Sequence, residues 1–507
     1  MKPFLDVIVR EPLRNLLLKG LRLTEKSEKK VVSRGQDTLI NRDIHIPPVL
    51  VAICSSLFLM AILVMQFGWF WRSLISITVF VILSLTLFIF YLKHDLPNLI
   101  EDDEAMMLLG TLVILFVLII GGIKRWPLSS FMTPLPAASI LAALLLHPRL
   151  SIMLTMVLSM FFALSHDFSS TCFFMGFFGG LAGTAAALSV RSYRDFIRVS
   201  VIVSVAQIFT LIIVSSLGQV QVTPFLWRTL WCLGNAFISS VLALGLLPFL
   251  ESFFSRLTPM KLIELSDFNQ PLLKRLMLEA PGTYHHSLIM ATLAESAAQR
   301  IGANPLLCRV GSYYHDIGKL IKPEYFIENQ GGLKSNPHNE IAPALSRLVV
   351  ISHVKEGIAM AKSAKLPNEI INFIPMHHGT SRIEYFYQQA LEDAQEELFR
   401  HGENEKTAKE NVEEEHFRYP GPRPLSKEAA ILMLADSVEA TARTIDEPSH
   451  DRFQDLVKNI FNKKLEDGQL SNSPLTLGDL TLIRDSFVIT LTSIHHARIE
   501  YPKESNE

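Results

Sequence analysis

The stretch SYYHDIGKL, Ser312 to Leu320, places the imidazole of His315 directly before the carboxylate of Asp316, with Lys319 three residues further on. Imidazole and carboxylate groups are metal ligands, and an ammonium group can bind phosphate, so this trio is able to hold a metal ion and a phosphate. The same trio is also compatible with a solvated helix end. The pair alone does not decide between the two interpretations, and further ligands must come from elsewhere in the chain.

Side chains of the same types recur in the second half of the chain. Asp436 lies in the otherwise apolar run ILMLADSVEA, and a buried carboxylate without a partner costs several kcal/mol, so this residue requires a cation. Histidines occur in GTYHHS, ISHVKEG and MHHGT, as His286, His353, His377 and His378. Each histidine taken alone is more typical of a hydrogen-bonded or solvated residue. Together with the His-Asp pair they predict a dinuclear site, in which Mn or Fe is more natural than Mg.

The other histidines of this half have weaker patterns. His285, His338, His495 and His496 are best interpreted as solvated or hydrogen-bonded residues. His338, in NPHNE, lies on a predicted loop that could approach a substrate.

Helical patterns broken by Pro and Gly follow residue 254, and no alternating strand pattern of any length occurs there. Thr283 is the predicted N-cap of a helix that runs to Gly302, and Ser426 is the predicted cap of the helix that carries the apolar run. Residues 384–415 form a charged, Glu-rich helical insert, more typical of a solvated face than of an acidic binding surface. The pattern predicts an all-α fold.

The first half is too apolar for a soluble protein. The chain of 507 residues is 49% hydrophobic, and stretches long enough to cross a bilayer follow one another after the first 45 residues. The predicted spans are 47–71, 73–92, 105–123, 129–147, 150–166, 170–190, 199–217 and 229–252. Charged residues lie at the ends of these spans, so a transporter has weak support.

Charge sets the expected orientation. Residues 1–45 carry ten Lys and Arg against six Asp and Glu, and the basic loop at 191–198 and the segment after 254 should also be cytoplasmic. An even number of spans satisfies these constraints. The net charge of −2 gives no reason to expect a nucleic acid polymer as partner, and the four isolated cysteines form neither a disulfide framework nor a CxxC knuckle.

The order H…HD…H…HH…D resembles the HD superfamily of metal-dependent phosphohydrolases. The strings PGTYHHS, HDIGK, NPHNEI, HHGT, FRYPGPRP, EAAILMLADSVEAT and SPLTLGDL…HHARIEYP are similar to the 7TM-HD family of membrane-anchored cyclic-di-AMP phosphodiesterases, the PgpH type. The resemblance covers residues 260–502 densely and the membrane half more loosely.

The resemblance implies a ligand set. One metal would take His286, His315 and Asp436, a second would take His353, His377 and His378, and Asp316 would bridge the two ions. The implied cofactors are two divalent ions, Mn or Fe, and the implied reaction is attack by a metal-activated hydroxide that opens cyclic-di-AMP to linear pApA. Lys319 would contact the phosphate or assist the leaving 3′ oxygen, and His338 is a further candidate for substrate binding.

The resemblance also implies that the chain is a bacterial inner-membrane protein. Its implied domain order is a cytoplasmic segment at 1–45, a lipid-embedded transmembrane region at 46–254 and a cytoplasmic HD domain at 255–507. Two departures stand out. Only Trp71 and Arg72 separate the first predicted span from the following bundle, where the family usually has a large extracellular domain, and the insert at 384–415 is longer than usual. Sensing, localisation and homodimerisation all stay open as roles of the membrane part.

Alternatives remain within and outside this enzyme class. Another substrate, such as cyclic-di-GMP or a nucleotide phosphomonoester, is one; however, the Gly-Tyr-Pro loop expected after the paired histidines of cyclic-di-GMP enzymes is replaced by HHGTSRIEYFYQ. A membrane sensor that binds nucleotide without cleaving it is another, and its expected mark, a lost ligand, is absent from the sequence.

Overall fold

The computed structural model describes residues 71–100, 102–126, 128–217, 225–331, 336–401, 412–445 and 447–494. Within these ranges the chain forms α-helices and short 3-10 helices, and the only β pairing there is an isolated bridge between Arg382 and Arg418. The prediction of an all-α fold is confirmed.

The first half is a succession of apolar helices. They are α1 (Trp71–Asp95), α2 (Pro97–Ile100), α3 (Asp103–Arg125), α4 (Leu135–Leu145), α5 (Pro148–Ser165), α6 (Ser170–Ala187), α7 (Asp195–Ser216) and α8 (Phe225–Phe253). By length and apolar character, α3, α5, α6, α7 and α8 can each cross a membrane, and α4 is a shorter apolar helix. These six helices and α1 coincide with seven of the eight predicted spans.

The remaining predicted span, 47–71, lies outside the described residues except for Trp71, as do the N-terminal segment 1–45 and the loop 218–224. The fourth span, predicted at 129–147, is shorter than expected because Pro134 and Pro136 flank the start of α4 and a 3-10 turn at Ser130–Met132 precedes it.

The second half contains α9 (Pro259–Leu265), α10 (Pro271–Glu279), α11 (Pro281–Arg300), α12 (Pro305–Tyr314), α13 (Pro343–Ser363), α14 (Asn368–Ile371), α15 (Phe373–Met376), α16 (Glu384–His401), α17 (Lys427–Ala442), α18 (His450–Glu466) and α19 (Leu477–Ile494). Short 3-10 helices lie at Ile317–Ile321, Pro323–Tyr325, Ile327–Asn329, Pro337–Glu340 and Glu414–Phe417.

Proline opens the consecutive helices α9 to α13, where its fixed φ suits the first turn and its missing N–H costs no hydrogen bond. The predicted cap at Thr283 is therefore wrong: α11 begins at Pro281, and the Thr283 hydroxyl instead donates to Glu328. Ser426 does cap α17, because its side chain accepts a hydrogen bond from the amide of Ala429.

The core of the second half is built around α11 and α17. The apolar residues of α17 from Ala429 to Ala435 are all at most 2% exposed, so this part of the helix is enclosed by its neighbours on every side. Asp436, the next residue, is the place where that apolar run meets polar groups. The charged helix α16 covers a smaller cluster formed by Phe386, Tyr387, Leu391 and Phe417.

One ion pair joins the end of the membrane half to the start of α3. Arg256, between α8 and α9, donates from both terminal nitrogens to Asp102, at 2.8 and 2.6 Å. Asp102 also caps α3 by accepting from the amide of Ala105 at 3.0 Å. A single carboxylate thus holds both the N-terminus of a membrane-length helix and the linker that leads into α9.

Candidate metal centre

The His-Asp pair lies where α12 ends. Asn304 caps this helix by accepting from the amide of Leu307, and the chain turns at Asp316 into the 3-10 helix at Ile317–Ile321. The turn points both side chains into the interior, so that His315 is 0% and Asp316 1% exposed. The solvated helix end, the alternative interpretation of this stretch, is therefore excluded.

Three of the histidines share one arrangement. In His315, His353 and His377, Nδ1 donates to a backbone carbonyl three or four residues earlier on the same helix segment, at 2.6, 2.5 and 3.3 Å. Such a bond fixes the tautomer and leaves Nε2 as the free electron-pair donor. All three Nε2 atoms face Asp316, at 3.1 Å from Oδ2 for His315 and at 3.3 and 3.6 Å from Oδ1 for the other two.

The second carboxylate gathers the other two rings. Nε2 of His286, on α11, lies 3.2 Å from Oδ1 of Asp436, on α17. Nδ1 of His378 lies 3.6 Å from Oδ2 of the same carboxylate. The ring of His378 is also stacked on that of Tyr419, with the centroids 4.1 Å apart.

All seven predicted ligands converge. One set of donor atoms within 4.8 Å of one another comes from Asp316, His353, His377 and His378, and a second comes from His286, His315 and Asp436. Asp316 belongs to the first set and also touches His315 of the second. The geometry places this carboxylate between the two sets.

The donor set fits metal ions. Four of its buried acceptor atoms have no hydrogen-bond donor among the described residues: Nε2 of His315, His353 and His377 and Oδ1 of Asp316. Buried polar atoms are normally hydrogen-bonded, and four such acceptors in one place fit a cation-binding site. The mixed imidazole and carboxylate chemistry suits a divalent transition metal.

The charges of the centre are consistent with ligand function. Burial lowers the pKa of His377 to about 3, and its electrostatic interaction with the neighbouring His315 acts in the same direction. Burial likewise lowers the pKa of His353 and His378, so these rings are neutral at pH 7. Burial would raise the pKa of Asp316, but its interactions with His315 and with the Lys319 ammonium outweigh it and hold the pKa of this carboxyl well below its usual range.

A cavity of about 340 Å³ opens over the centre. Its lining includes His286, His353, His378 and Asp436 of the donor sets, together with Lys319. Lys319 lies 2.8 Å from Asp316 and 2.6 Å from Glu328, and its ammonium stands 4.9 Å from the ring centroid of Phe326. The ammonium therefore lies beside the donor atoms and borders the space that a ligand would occupy.

His338 does not line this cavity. Its ring donates from Nε2 to the carbonyl of Tyr325 at 2.8 Å and packs against Phe386, with 4.9 Å between ring centroids. The structure gives His338 a packing partner on each side, and its role in substrate binding stays a prediction.

Sequence reasoning missed four residues around the centre. Glu439 hydrogen-bonds His286, Arg443 pairs with Glu439, Glu328 pairs with Lys319, and Tyr419 stacks on His378. A signal existed for the first two, because Glu439 lies one helical turn beyond Asp436 and Arg443 one turn further. Glu328 and Tyr419 lie outside the α-helices, in segments whose path no periodicity indicates.

Two known protein families match this chain. The family described as a 7TM receptor with an intracellular HD hydrolase matches residues 71–258, and the HD domain family matches residues 283–441. The chain belongs to the 7TM-HD family. It is a membrane protein with an HD domain, and the resemblance inferred from its motifs is confirmed.

Curated relatives of this 7TM-HD protein match most of its length. Cyclic-di-AMP phosphodiesterase PgpH of Bacillus subtilis (strain 168) is 35% identical over 432 residues, which is 83% of this chain and 58% of the relative. Cyclic-di-AMP phosphodiesterase PgpH of Listeria monocytogenes serotype 1/2a (strain 10403S) is 32% identical over 449 residues, 84% of this chain and 59% of the relative. The chain thus spans about three fifths of the length of these relatives.

A solved structure also matches the HD domain. The L. monocytogenes phosphodiesterase PgpH HD domain in complex with cyclic-di-AMP is 41% identical, with a TM-score of 0.40; the match covers 46% of this chain and 100% of that chain.

Proposed function

We propose that this protein is a metal-dependent phosphodiesterase that hydrolyses cyclic-di-AMP to linear pApA. The convergence of seven candidate ligand side chains, four of which line an open cavity together with Lys319, carries the proposal. The names of the two curated relatives support the substrate. In the reaction, water oxygen joins phosphorus, the bond from phosphorus to a 3′ oxygen breaks, and that oxygen takes a proton.

The two donor sets would hold two divalent ions. His286, His315 and Asp436 would bind one, and His353, His377 and His378 the other, with Asp316 bridging. Five imidazoles and two carboxylates favour Mn or Fe over Mg, which prefers oxygen ligands. When bound, such a pair lowers the pKa of water and neutralises charge on the phosphoryl oxygens.

The protein's own contribution is orientation and charge. Hydrogen bonds from Nδ1 of His315, His353 and His377 to backbone carbonyls hold the three rings with Nε2 facing Asp316. These three rings therefore need not rotate when metal ions bind. Glu328 and the ring of Phe326 hold the Lys319 ammonium in place. From there Lys319 would contact the phosphate or stabilise the leaving 3′ oxygen.

The decisive experiment incubates cyclic-di-AMP with the full chain in detergent and Mn(II) or Fe(II), and separates the products by chromatography. Accumulation of pApA with the native chain, its loss in Asp316→Asn and its persistence in Asp479→Asn would support the proposal; Asp479 is ion-paired with Lys427, and neither residue belongs to the donor sets. An unaltered substrate despite bound metal would favour a different nucleotide or a sensor that binds without cleaving.

Lys319 has a separate test. Lys319→Ala should lower turnover and leave the metal content unchanged, because the ammonium is not a ligand. Lys322→Ala is the matched control, since that side chain only covers the ring of Tyr325, 5.5 Å from its centroid. If Lys319→Ala loses metal instead, its role is to hold Asp316 and not the phosphate.

The location follows from the same proposal. The HD domain, 255–507, would face the cytoplasm of a bacterium, where a nucleotide second messenger is found, and residues 46–254 would lie in the inner membrane, with 1–45 on the cytoplasmic side. Protease accessibility of the HD domain in spheroplasts and in inverted vesicles would test this orientation. Cleavage in intact spheroplasts would overturn it.

A further inference from the structure

The ring of His286 contacts a second carboxylate on the side away from the donor atoms. Its Nδ1 donates to Oε2 of Glu439, while its Nε2 faces Asp436. Glu439 is 3% exposed, and Arg443 donates to the same oxygen at 2.7 Å. One ring is thus held between two carboxylates that lie one turn apart on α17.

This arrangement differs from that of the other three buried rings. His315, His353 and His377 each donate from Nδ1 to a helix carbonyl. His286 makes no such bond; the carbonyl of Thr283, three residues earlier, accepts from the hydroxyl of Ser287 at 2.9 Å. A carboxylate takes the place that a carbonyl has elsewhere in the centre.

A buried carboxylate is costly unless it is paired, so a structural reason is needed for Glu439. Arg443 supplies a positive charge, but its side chain is 42% exposed, so solvent weakens its compensation of the buried carboxylate. The contact of Glu439 with a candidate metal ligand is the feature that distinguishes this site from an ordinary ion pair.

From this geometry we infer that Glu439 is a positioning residue for the metal that His286, His315 and Asp436 would hold, and that Arg443 steadies Glu439. The inference rests on the proposed metal centre. A carboxylate on Nδ1–H fixes the tautomer in which Nε2 is the electron-pair donor, and it raises the basicity of that nitrogen. Loss of such a partner typically weakens metal binding about 10–100-fold.

The test measures the binding of Mn(II) to the full chain in detergent, by calorimetry and by electron paramagnetic resonance of the free ion. The native chain should bind two ions, and Glu439→Ala should weaken one of the two sites about 10–100-fold and leave the other unchanged. Glu439→Gln keeps an acceptor for Nδ1–H without the charge, so its loss should be smaller. Arg443→Ala should have the smallest effect.

A double-mutant cycle separates positioning from general destabilisation. In a His286→Ala background, Glu439→Ala should cause no further loss of affinity, because its effect passes through the missing ring. The matched control is Glu295→Ala. Glu295 lies on α11, the helix that carries His286, and pairs with Arg309 of α12, so its loss removes a Glu-Arg pair and should leave both metal sites intact.

The outcomes are distinguishable. If the native chain binds no Mn(II), the proposed metal centre itself fails. If it binds two ions and Glu439→Ala binds them equally well, or weakens binding by the same factor with and without His286, only the role of Glu439 is overturned. Should Glu439→Ala not fold, Glu439→Gln decides: a loss no larger than that of Glu295→Ala would refute the inference.

Discussion

Gly318→Ala is predicted to disrupt the metal centre from a position that bears no ligand. A Cβ atom at residue 318 would lie 1.8 Å from the carbonyl oxygen of His353 and 2.5 Å from the amide nitrogen of Gly357. Both neighbours are backbone atoms of α13, so neither can rotate away. The loop that follows Asp316 and the helix that carries His353 touch directly at this glycine.

The size of the effect follows from these distances. Carbon and oxygen atoms that are not bonded approach to about 3.3 Å, so loop and helix must separate by roughly 1.5 Å. Ligand distances in metal sites vary by only about 0.2 Å, and a shift several times larger would pull His353 away from Asp316. Overpacking typically costs about 1–3 kcal/mol, and contact with backbone favours the upper end.

Two measurements on the full chain in detergent check this prediction. Mn(II) titration should show a clear loss of affinity, and calorimetry should show a transition of the HD domain that is lower by about 6–12 °C, at about 2–4 °C per kcal/mol. Gly331→Ala is the matched control, because a Cβ at Gly331 meets no atom of the described residues within 4 Å. Native affinity and a native transition in Gly318→Ala would refute the reasoning.

Three further predictions concern protons, the membrane junction and metal removal. Burial lowers the pKa of His286, but hydrogen bonds to Asp436 and Glu439 outweigh it and raise the pKa to about 10. The metal-free ring therefore holds an extra proton at pH 7, and the binding of a metal ion should release about one proton. Metal affinity should accordingly increase about tenfold per pH unit below pH 10. Calorimetry in buffers of different ionisation enthalpy measures that release, and binding without it would contradict the assignment. Asp102→Asn should keep the cap of α3 and lose the charge that faces Arg256, whereas Asp102→Ala should lose both. In thermal unfolding the Ala variant should be less stable than the Asn variant by about 1 kcal/mol. Equal stability of the two variants would show that the cap contributes nothing. Chelation of bound metal by EDTA should lower the unfolding temperature of the HD domain, and Mn(II) should restore it. Each site that is saturated at 100 times its Kd adds about 2.7 kcal/mol to the free energy of unfolding. An unchanged unfolding temperature would contradict metal binding to the folded state.

The candidate ligands could be predicted from the sequence because their chemistry is visible in single residues. A carboxylate such as Asp436 inside an apolar run has few explanations, and seven metal-binding side chains near helix ends narrow them further. The positions of seven of the eight predicted spans were also accessible, since hydropathy depends only on local composition.

Other features depended on tertiary contacts. Glu439 stands beside an apolar helix face in the sequence, and only the packing of α11 against α17 brings it to His286. Thr283 has the side chain of a cap, yet Pro281 fixes the first turn two residues earlier. Tyr419 reaches the centre from a segment without periodicity, and nothing local to it indicates the ring on which it stacks.

The wide spacing of the ligands along the chain has a consequence for biosynthesis. His286 and Asp436 lie 150 residues apart in the sequence, and the proposed site contains both. At about 5–20 residues per second, a ribosome takes roughly 8–30 s to add that stretch. When Asp436 is synthesised, α3 to α8 have already left the ribosome. The membrane helices can therefore insert before the metal centre is able to assemble. A nascent chain that ends before α17 lacks Asp436, so the growing polypeptide cannot complete the His286 site until α17 has been made.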